Sequence, residues 1–367
     1  MNIYYLRMLK SQPLRLIITI SGISLCIVLM LFLLGIYKGV AEGSVEYIKK
    51  SNGDIWVIQK SAENILRGTS ILNSFQLLTL GEDDNVQSVS PVLLVLSTLK
   101  AKGKSSTIFL CGYDLTSKFG GPPAIVEGKP INKKDEIVLD KSFALKNKIN
   151  VGDKVTIMDE TLKVTGLSSG TNAFVIQYGF ASIEKVHSLL GYNDVYTCFI
   201  LTLSKNINPL YARKSLQKVL PGCSFYTHQE FVDNNIKEMK TGILPMLYAI
   251  AGISGIVLTA ILSLILSINI LEKRKDFAVM KILGCPESFL PGLVFSQAVI
   301  ITLLSSAAAL ILYFPVTAII ENISPEITVK NDLLTSLLVV LTALIMSLVS
   351  SFISVHRLRH IYPIEVF

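Results

Sequence analysis

Four long apolar segments at uneven positions constrain this chain more than any other feature. One lies near the start and three lie close together near the end, at Leu14–Tyr37, Ile243–Leu271, Leu293–Ile320 and Leu333–Val355. Each holds about 20 or more residues with no acid, Lys or Arg in its interior, which is long enough to cross a bilayer. The pattern predicts one transmembrane helix followed later by three. Buried helices of a soluble protein are the alternative, and they do not account for four such runs with one consistent charge bias.

Lysines and arginines beside the predicted spans indicate their orientation, because cytoplasmic flanks are enriched in both. Basic residues precede the first span, separate the second from the third and follow the fourth. They are Arg7, Lys10, Arg15, Lys273, Arg274, Lys275, Lys281, Arg357 and Arg359. The opposite loop, Glu321–Asp332, has only Lys330 beside its acids. Both termini are therefore predicted to be cytoplasmic, and residues 42–240 to be extracytoplasmic.

The net charge of +7 does not indicate nucleic-acid binding. Nine of the 34 Lys and Arg residues lie in the cytoplasmic flanks, and the others are interleaved with acids. The first apolar run is too long for a signal-peptide core and lacks a small-residue cleavage site, so an uncleaved anchor at 14–41 is expected. Residues 1–13 are predicted to form an amphipathic segment on the inner membrane surface.

Residues 42–240 change to short alternating segments typical of an α+β domain. A hairpin is predicted around Lys102-Gly103-Lys104, between strands at Pro91–Lys100 and Ser106–Tyr113. Further expected strands are Asp54–Gln59, Asp135–Asp140, Val151–Ile157, Glu160–Gly166 and Tyr196–Ser204, and the expected helices are Ser142–Lys148 and Asn208–Leu220. The Gly112–Gly128 segment is a candidate break between two subregions.

Candidate catalytic groups are not apparent in the sequence. His187 and His228 have no spaced partners, so surface or satisfied histidines are expected. Zinc-like Cys or His spacing and the phosphate-binding pattern G-x-x-x-x-G-K-[ST] do not occur. Cys111, Cys198 and Cys223 in the middle domain allow at most one intramolecular disulfide. We therefore expect a non-catalytic chain with no metal or cofactor of its own.

Small residues recur at every fourth position of the second span and form one stripe along the helix. They are Ala251, Gly255, Thr259, Ser263 and Ser267. Similar series are Ala343, Ser347 and Ser351 in the fourth span and Gly35, Gly39 and Gly43 leaving the first. Such stripes allow close helix approach. Packing within one chain is one interpretation, and a dimer interface is the one we favour for at least one stripe. No charged side chain lies deep in a span, which disfavours ion-coupled transport.

The cytoplasmic loop at 272–291 begins with charges and continues with an apolar series that ends at Gly284. Its sequence, Glu272-Lys-Arg-Lys-Asp-Phe-Ala-Val-Met-Lys-Ile-Leu-Gly284, predicts a short helix along the membrane that offers one face to a partner. A positively charged connector is the simpler alternative.

This loop resembles the E-[RK]-[RK]-x-E-[FI]-A-[VI]-[ML]-[KR]-[AI]-[LI]-G signature of the FtsX-like/MacB-like ABC transporter permeases, with Asp276 in place of the usual Glu. The segment Asp135–Gly166 resembles the extracytoplasmic core domain of that family, and Arg357–Phe367 resembles its C-terminal ending. The resemblance covers essentially the whole chain. It implies an integral membrane α-helical protein of the bacterial plasma (inner) membrane, with a MacB-like core domain at 42–240 and an FtsX-like permease domain at 241–367.

The resemblance also implies partners: a separate ABC ATPase that holds ATP and Mg²⁺, a second permease copy, and in some complexes a periplasmic adaptor. The ATPase-coupling residues it implies are Glu272, Arg274, Asp276, Phe277, Met280, Lys281, Leu283 and Gly284. We expect export or extraction of an amphipathic small molecule, a peptide or a lipoprotein. Two alternatives stay open: a mechanical transmitter that regulates an outside enzyme such as a cell-wall hydrolase, and a receptor without an ATPase.

Overall fold

The computed structural model describes residues 13–65, 68–173, 176–272, 279, 286, 289–327 and 329–358. The chain divides into two compact units. The membrane unit contains the described parts of Met1–Lys38, Leu244–Ile320 and Val329–Phe367, and the sheet unit contains those of Gly39–Ile243 and Glu321–Thr328. The sheet unit therefore includes a short piece of the loop between the third and fourth spans.

Four of the described helices are long and apolar enough to cross a membrane. They are α1 (Pro13–Lys50), α6 (His228–Glu272), α7 (Phe289–Ile323) and α8 (Leu333–Leu358). Their candidate spans are Leu16–Gly43, Pro245–Glu272, Pro291–Ile323 and Leu333–Val355. The predicted arrangement of one span plus three is confirmed. Both α1 and α6 extend beyond their spans into the sheet unit.

The four remaining described helices are short and lie in the sheet unit: α2 (Ser74–Gly81), α3 (Lys141–Asn147), α4 (Ile183–Leu190) and α5 (Pro209–Val219). Local sequence accounts for their beginnings. Asn73 forms a capping box at α2, Asp140 accepts backbone N–H bonds at α3, and Asn208 caps α5 just before Pro209.

Eleven strands of the described chain form the sheet. They are β1 (Ile55–Gln59), β2 (Val86–Ala101), β3 (Lys104–Tyr113), β4 (Ile125–Gly128), β5 (Glu136–Asp140), β6 (Lys154–Ile157), β7 (Glu160–Ser168), β8 (Asn172–Ala173), β9 (Ile176–Ser182), β10 (Cys198–Leu203) and β11 (Cys223–Thr227). The order is β11-β1-β10-β2-β3-β9-β5-β7-β4, with β6 on β2 and β7, and β8 on β9. The pairs β3–β9 and β5–β7 are parallel.

The predicted elements of the middle domain are present with small changes of boundary. The hairpin around Lys102-Gly103-Lys104 pairs β2 with β3, and both predicted helices form. The elements α2, α4, β4, β8, β9 and β11 were not predicted from the sequence. A single sheet continues across the break considered near Gly112–Gly128, because β3, β9 and β5 are consecutive neighbours in it.

Each face of this sheet has its own apolar core. On one face the short helices cover residues such as Val57, Leu110 and Leu139. The core on the other face includes Tyr47 of α1 and Phe231 of α6. The Phe231 ring stacks on Trp56 with centroids 4.8 Å apart, and the Tyr47 ring stacks on Tyr178 at 5.1 Å. The ends of two membrane-crossing helices are therefore structural parts of the sheet unit.

We predict that Phe231→Ala destabilises the sheet unit by about 3–5 kcal/mol, because it removes a fully buried ring and leaves a cavity beside Trp56. Trp56 is the one tryptophan in the sequence, so its fluorescence during urea unfolding of the detergent-solubilised protein reports on this core. The matched control is Phe75→Ala, since the Phe75 ring is 68% exposed. Equal midpoints for the two variants would contradict the packing role of Phe231.

Candidate functional site

The predicted ATPase-coupling surface is described at one residue only. Glu272 ends α6 and is exposed. The other seven predicted coupling residues lie outside the described residues: Arg274, Asp276, Phe277, Met280, Lys281, Leu283 and Gly284. Their assignment stays a prediction from the sequence.

The small-residue stripe of the second span lies on α6 and faces α8 of the same chain at two points. A Cβ atom added at Gly255 would lie 2.2 Å from Cε of Met346. The Ser354 hydroxyl donates to the backbone oxygen of Ser263 at 3.3 Å. Part of the stripe therefore packs within one chain, as the first interpretation expects. The dimer interface stays a prediction.

Beside this contact, an open groove of about 630 Å³ lies between α6 and α8. Four stripe residues line it: Gly255, Thr259, Ser263 and Ser267. The remaining walls are largely apolar and include Leu264, Leu271 and Ile353. The groove lies wholly on membrane-crossing helices, so hydrocarbon chains are its natural surroundings.

Most buried polar side chains of the described spans carry hydroxyl groups, and Gln297 of α7 adds an amide. Six of the hydroxyl groups have no hydrogen-bond partner among the described residues: Ser267, Thr302, Ser305, Ser306, Ser347 and Ser350. Small hydroxyl side chains allow close packing of α6, α7 and α8 at little steric cost. The second predicted stripe, Ala343, Ser347 and Ser351, is fully buried.

Two glycines of the predicted first-span series permit close approach of other backbone. At Gly35 a Cβ atom would lie 2.6 Å from Cγ1 of Val329, and the Gly35 carbonyl accepts a bond from the Lys330 N–H at 3.1 Å. At Gly43 a Cβ atom would lie 2.8 Å from the Asn172 carbonyl oxygen. Near the same end of the first span, Lys38 pairs with Asp332 at 2.5 Å.

The loop between the third and fourth spans is held on the sheet unit by polar contacts that the sequence did not reveal. Lys146 of α3 pairs with Glu326 at 2.6 Å. The Asn172 side chain donates to the Glu326 carbonyl oxygen at 2.9 Å and accepts a bond from Gln177 at 3.1 Å. No local sequence signal could have paired Lys146 with Glu326, because 180 positions separate them.

Titratable side chains of the sheet unit form hydrogen bonds and ion pairs with neighbouring protein groups. His187 is buried and bonds the Val195 carbonyl oxygen at 2.9 Å, so it is a satisfied histidine as expected. Asp135 is exposed and pairs with Lys185 at 2.7 Å. Burial raises the pKa of the Asp140 carboxyl, although bonds from Ser142 and Thr171 oppose the shift. No group of three or more His, Cys, Asp or Glu in the described chain could hold a metal ion.

Buried aromatic and thiol groups surround Tyr47. Its hydroxyl donates to the Gly120 carbonyl oxygen at 2.9 Å, and burial raises the pKa of that hydroxyl well above its ordinary value. Burial also raises the pKa of the Cys111 thiol to about 12. The described cysteines Cys26, Cys111, Cys198 and Cys223 are all free thiols. A thiol with so high a pKa is a poor nucleophile. We therefore assign the groups around Tyr47 to the packed core rather than to a reactive site.

We predict that Gly255→Leu lowers the thermal unfolding midpoint of the solubilised permease, because overpacking against Met346 costs about 1–3 kcal/mol. Met346→Ala in the same chain should restore part of the loss. Gly252→Leu is the matched control, since no atom lies within 4 Å of a Cβ at that glycine. A loss that Met346→Ala does not reduce, accompanied by dissociation into monomers, would assign Gly255 to a contact between chains.

His228, the first residue of α6, supplies a pH test. Burial lowers the pKa of its imidazole from the ordinary value of 6.5, although Asp54 opposes the shift. Its contribution to stability is thus present above pH 6.5 and is lost as the pH falls through the lowered folded-state pKa. The urea midpoint reported by Trp56 should fall over that range, and His228→Gln should reduce the slope. An unchanged slope in His228→Gln would show that other groups cause it.

Comparison with known proteins places this architecture in a family. A model of the MacB-like periplasmic core domain matches residues 16–218, and a model of the FtsX-like permease C-terminal domain matches residues 248–363. An uncharacterized ABC transporter permease of Mycobacterium tuberculosis is 23% identical, over 84% of this chain and 83% of its own. The putative hemin transport system permease protein HrtB of Staphylococcus epidermidis is 21% identical, over 97% and 96%.

Among solved structures, the periplasmic region of MacB from Actinobacillus actinomycetemcomitans matches with a TM-score of 0.40 and 17% identity. It covers 53% of this chain and 96% of that one. The two family models together take in the first span, most of the sheet unit and nearly all of the last three spans. This chain therefore belongs to the FtsX-like/MacB-like family of ABC transporter permeases, membrane proteins with a large periplasmic domain between the first and second spans.

Proposed function

We propose that this permease couples ATP hydrolysis by a separate ATPase subunit to motion of the sheet unit, and so exports or extracts a substrate at the outer face of the membrane. The observation that carries the proposal is the continuity of α1 and α6. Each helix crosses the membrane and ends in the core of the sheet unit, at Tyr47 and Phe231 respectively. In this proposal, a displacement of either span is passed to that core along the shared helix.

The membrane unit supports transmission of motion rather than ion coupling. Ion-coupled transporters place ionisable groups near the middle of the membrane, where such groups are costly. The buried polar side chains of the described spans include Thr302, Ser305 and Ser347, which are hydroxyls that allow close packing. ATP hydrolysis by a partner is then the energy source that the family implies, with ATP and Mg²⁺ bound by that partner.

The cytoplasmic loop that follows α6 is the proposed docking site of the ATPase. In the sequence its apolar side chains Phe277, Met280 and Leu283 recur at helical spacing, next to the cations Arg274 and Lys281. Such a helix buries its apolar face against a partner while the charges orient it. Because the loop continues from α6, ATPase movement there would be passed along the helix that contains Phe231.

The proposed substrate class is an amphipathic molecule taken from the outer face: a small molecule, a peptide or a lipoprotein. The name of the Staphylococcus epidermidis relative refers to hemin, an amphipathic small molecule, and this supports the first choice. The proposed setting is the bacterial inner membrane, with both termini cytoplasmic and two permease copies per complex. A periplasmic adaptor is a further proposed partner of the sheet unit.

Replacing both Met280 and Leu283 with Asp should abolish binding of the partner ATPase, because each change places a charge in an apolar contact. The measurement is co-sedimentation of the purified ATPase with inverted membrane vesicles that contain the permease. Wild-type vesicles should retain the ATPase, and the double variant should lose it while inserting normally into the membrane.

The matched control for that experiment is Phe75→Asp with Leu78→Asp on α2, which changes two exposed apolar residues of the sheet unit. ATPase binding should be unaffected in this variant. Retention of the ATPase by the Met280/Leu283 variant would contradict the docking assignment. ATPase loss in both variants would indicate a general defect of the protein rather than a lost contact.

A further inference from the structure

The short helix α2 exposes apolar side chains on the side opposite its core contacts. Leu80 of this helix is buried, and Leu77 packs against the same core. On the outer side Phe75 is 68% exposed and Leu78 is 65% exposed, and Ile71, just before the helix, is 58% exposed. Phe75 and Leu78 are three positions apart, so they lie on one side of the helix. Ile71, Phe75 and Leu78 are named the α2 patch.

Apolar side chains on the outer side distinguish α2 from its neighbour α4, which covers the same core. A helix on a core normally turns polar residues towards solvent. In α4 the apolar Val186 is buried, whereas Glu184 and Ser188 are exposed. No charged residue occurs within α2 itself. Exposed apolar residues grouped in this way mark interaction sites.

Hydrogen bonds to the sheet hold the α2 patch in place. The Ser70 hydroxyl donates to the Thr197 carbonyl oxygen at 2.6 Å. The Ile71 N–H donates to Oε1 of Gln59 at 3.0 Å, and Asn73 forms the capping box that begins α2. The patch is thus preformed on an anchored segment, which lowers the entropic cost of binding a partner.

Acidic residues lie at both ends of α2. At its start, Asp194 accepts a bond from the Ser74 N–H. Hydrogen bonds from Ser74 lower the pKa of the Asp194 carboxyl, so this group is ionised at neutral pH. Glu82 and Asp84 follow the end of the helix and are exposed. None of the three acids forms an ion pair with another described residue.

The stability of α2 does not explain Glu82 and Asp84. Carboxylates are unfavourable near the negative end of a helix dipole, and α2 has no basic residue in its last turn. Lys205 is exposed near Asp84, because the hydroxyl of the preceding serine donates to the Asp84 carbonyl oxygen at 3.1 Å. In the loop after β1, the exposed Lys60 and Glu63 offset each other in charge. The described rim of the patch is therefore net negative.

Size and charge together favour a short basic protein segment as the occupant of the patch. Three side chains of at most about 250 Å² each cannot supply the roughly 800 Å² per partner that a standard interface buries. A second copy bound symmetrically would bring the same acids together, and an anionic membrane surface would be repelled by them. An amphipathic helix with cations beside its apolar face matches both the patch and its rim.

From these observations we infer that the α2 patch docks an amphipathic segment of an extracytoplasmic partner protein. Apolar side chains of that segment cover Phe75 and Leu78, and its lysines or arginines lie beside Glu82 and Asp84. The inference deepens the proposed function, because it assigns a surface to the proposed partner of the sheet unit, and it rests on that unit being extracytoplasmic. It does not require ATPase binding at the cytoplasmic loop, so the two proposals can fail separately.

The test places the photoreactive residue p-benzoylphenylalanine at Phe75 in the full chain, in its native membrane, and identifies the crosslinked peptides by mass spectrometry. The expected product joins this position to a second protein, at a segment with apolar residues at helical spacing and Lys or Arg beside them. Glu82→Lys with Asp84→Lys should lower the crosslinking yield about fivefold or more, because a surface ion pair contributes up to about fivefold to binding.

Two matched controls accompany this test. The same photoreactive residue at Val126, an apolar side chain that is 49% exposed on β4, should not crosslink to that protein. Glu127→Lys with Asp233→Lys reverses two exposed acids on β4 and α6 and should leave the yield from Phe75 unchanged. Native Trp56 fluorescence verifies that each variant is folded.

Four outcomes would overturn the inference. A crosslink to a second copy of this chain would assign the patch to a contact between permeases, and a crosslink to phospholipid would assign it to the membrane surface. The absence of any crosslinked protein would exclude docking at the patch. A yield that Glu82→Lys with Asp84→Lys leaves unchanged would show that the partner is not basic.

Discussion

The packing of Tyr47 and Phe231 against the sheet is the interaction on which the rest of this structure depends. Both residues belong to helices that also cross the membrane, so each helix is part of a span and of the core. The core cannot release these rings without losing the stacking on Tyr178 and Trp56. In the proposed mechanism, a shift of either span reaches the core along the helix that both share. The proposed route for motion between the two units is this helix continuity, and it requires no polar pathway through the membrane.

The bilayer imposes the complementary constraint. Charges are costly in hydrocarbon, and the described spans use buried hydroxyls and small residues where helices meet. Glycine has no side chain, so Met346 can pack closely against Gly255 and Val329 against Gly35. Charged contacts are instead found at the ends of the spans and beyond, as in Lys38 with Asp332 and Lys146 with Glu326. The loop between the third and fourth spans is thereby attached to the sheet unit, and the chain passes between the two units at both ends of Glu321–Thr328.

Sequence reasoning was strongest where structure is determined locally. The spans, the Lys102-Gly103 turn and the helices α3 and α5 each depend on a few neighbouring residues, and the structure confirms these predicted elements. Strand β9 was missed because it is buried almost throughout and lacks alternation, as expected beside the parallel partner β3. The partner of the small-residue stripe could not be predicted, since Gly255 gives no indication that Met346 will cover it. The ATPase-coupling residues after Glu272 remain a prediction from the sequence, outside the described residues.

The central claim, that a separate ATPase drives this permease, is tested most directly by determining the composition of the intact complex. The tagged wild-type chain would be isolated from its native membrane in mild detergent, and the mass of the particle and its subunits measured. The account predicts a stoichiometric ABC ATPase together with two permease copies. Recovery of the permease without any ATPase, under conditions in which other ABC transporters stay assembled, would contradict the account and favour a receptor that works without ATP.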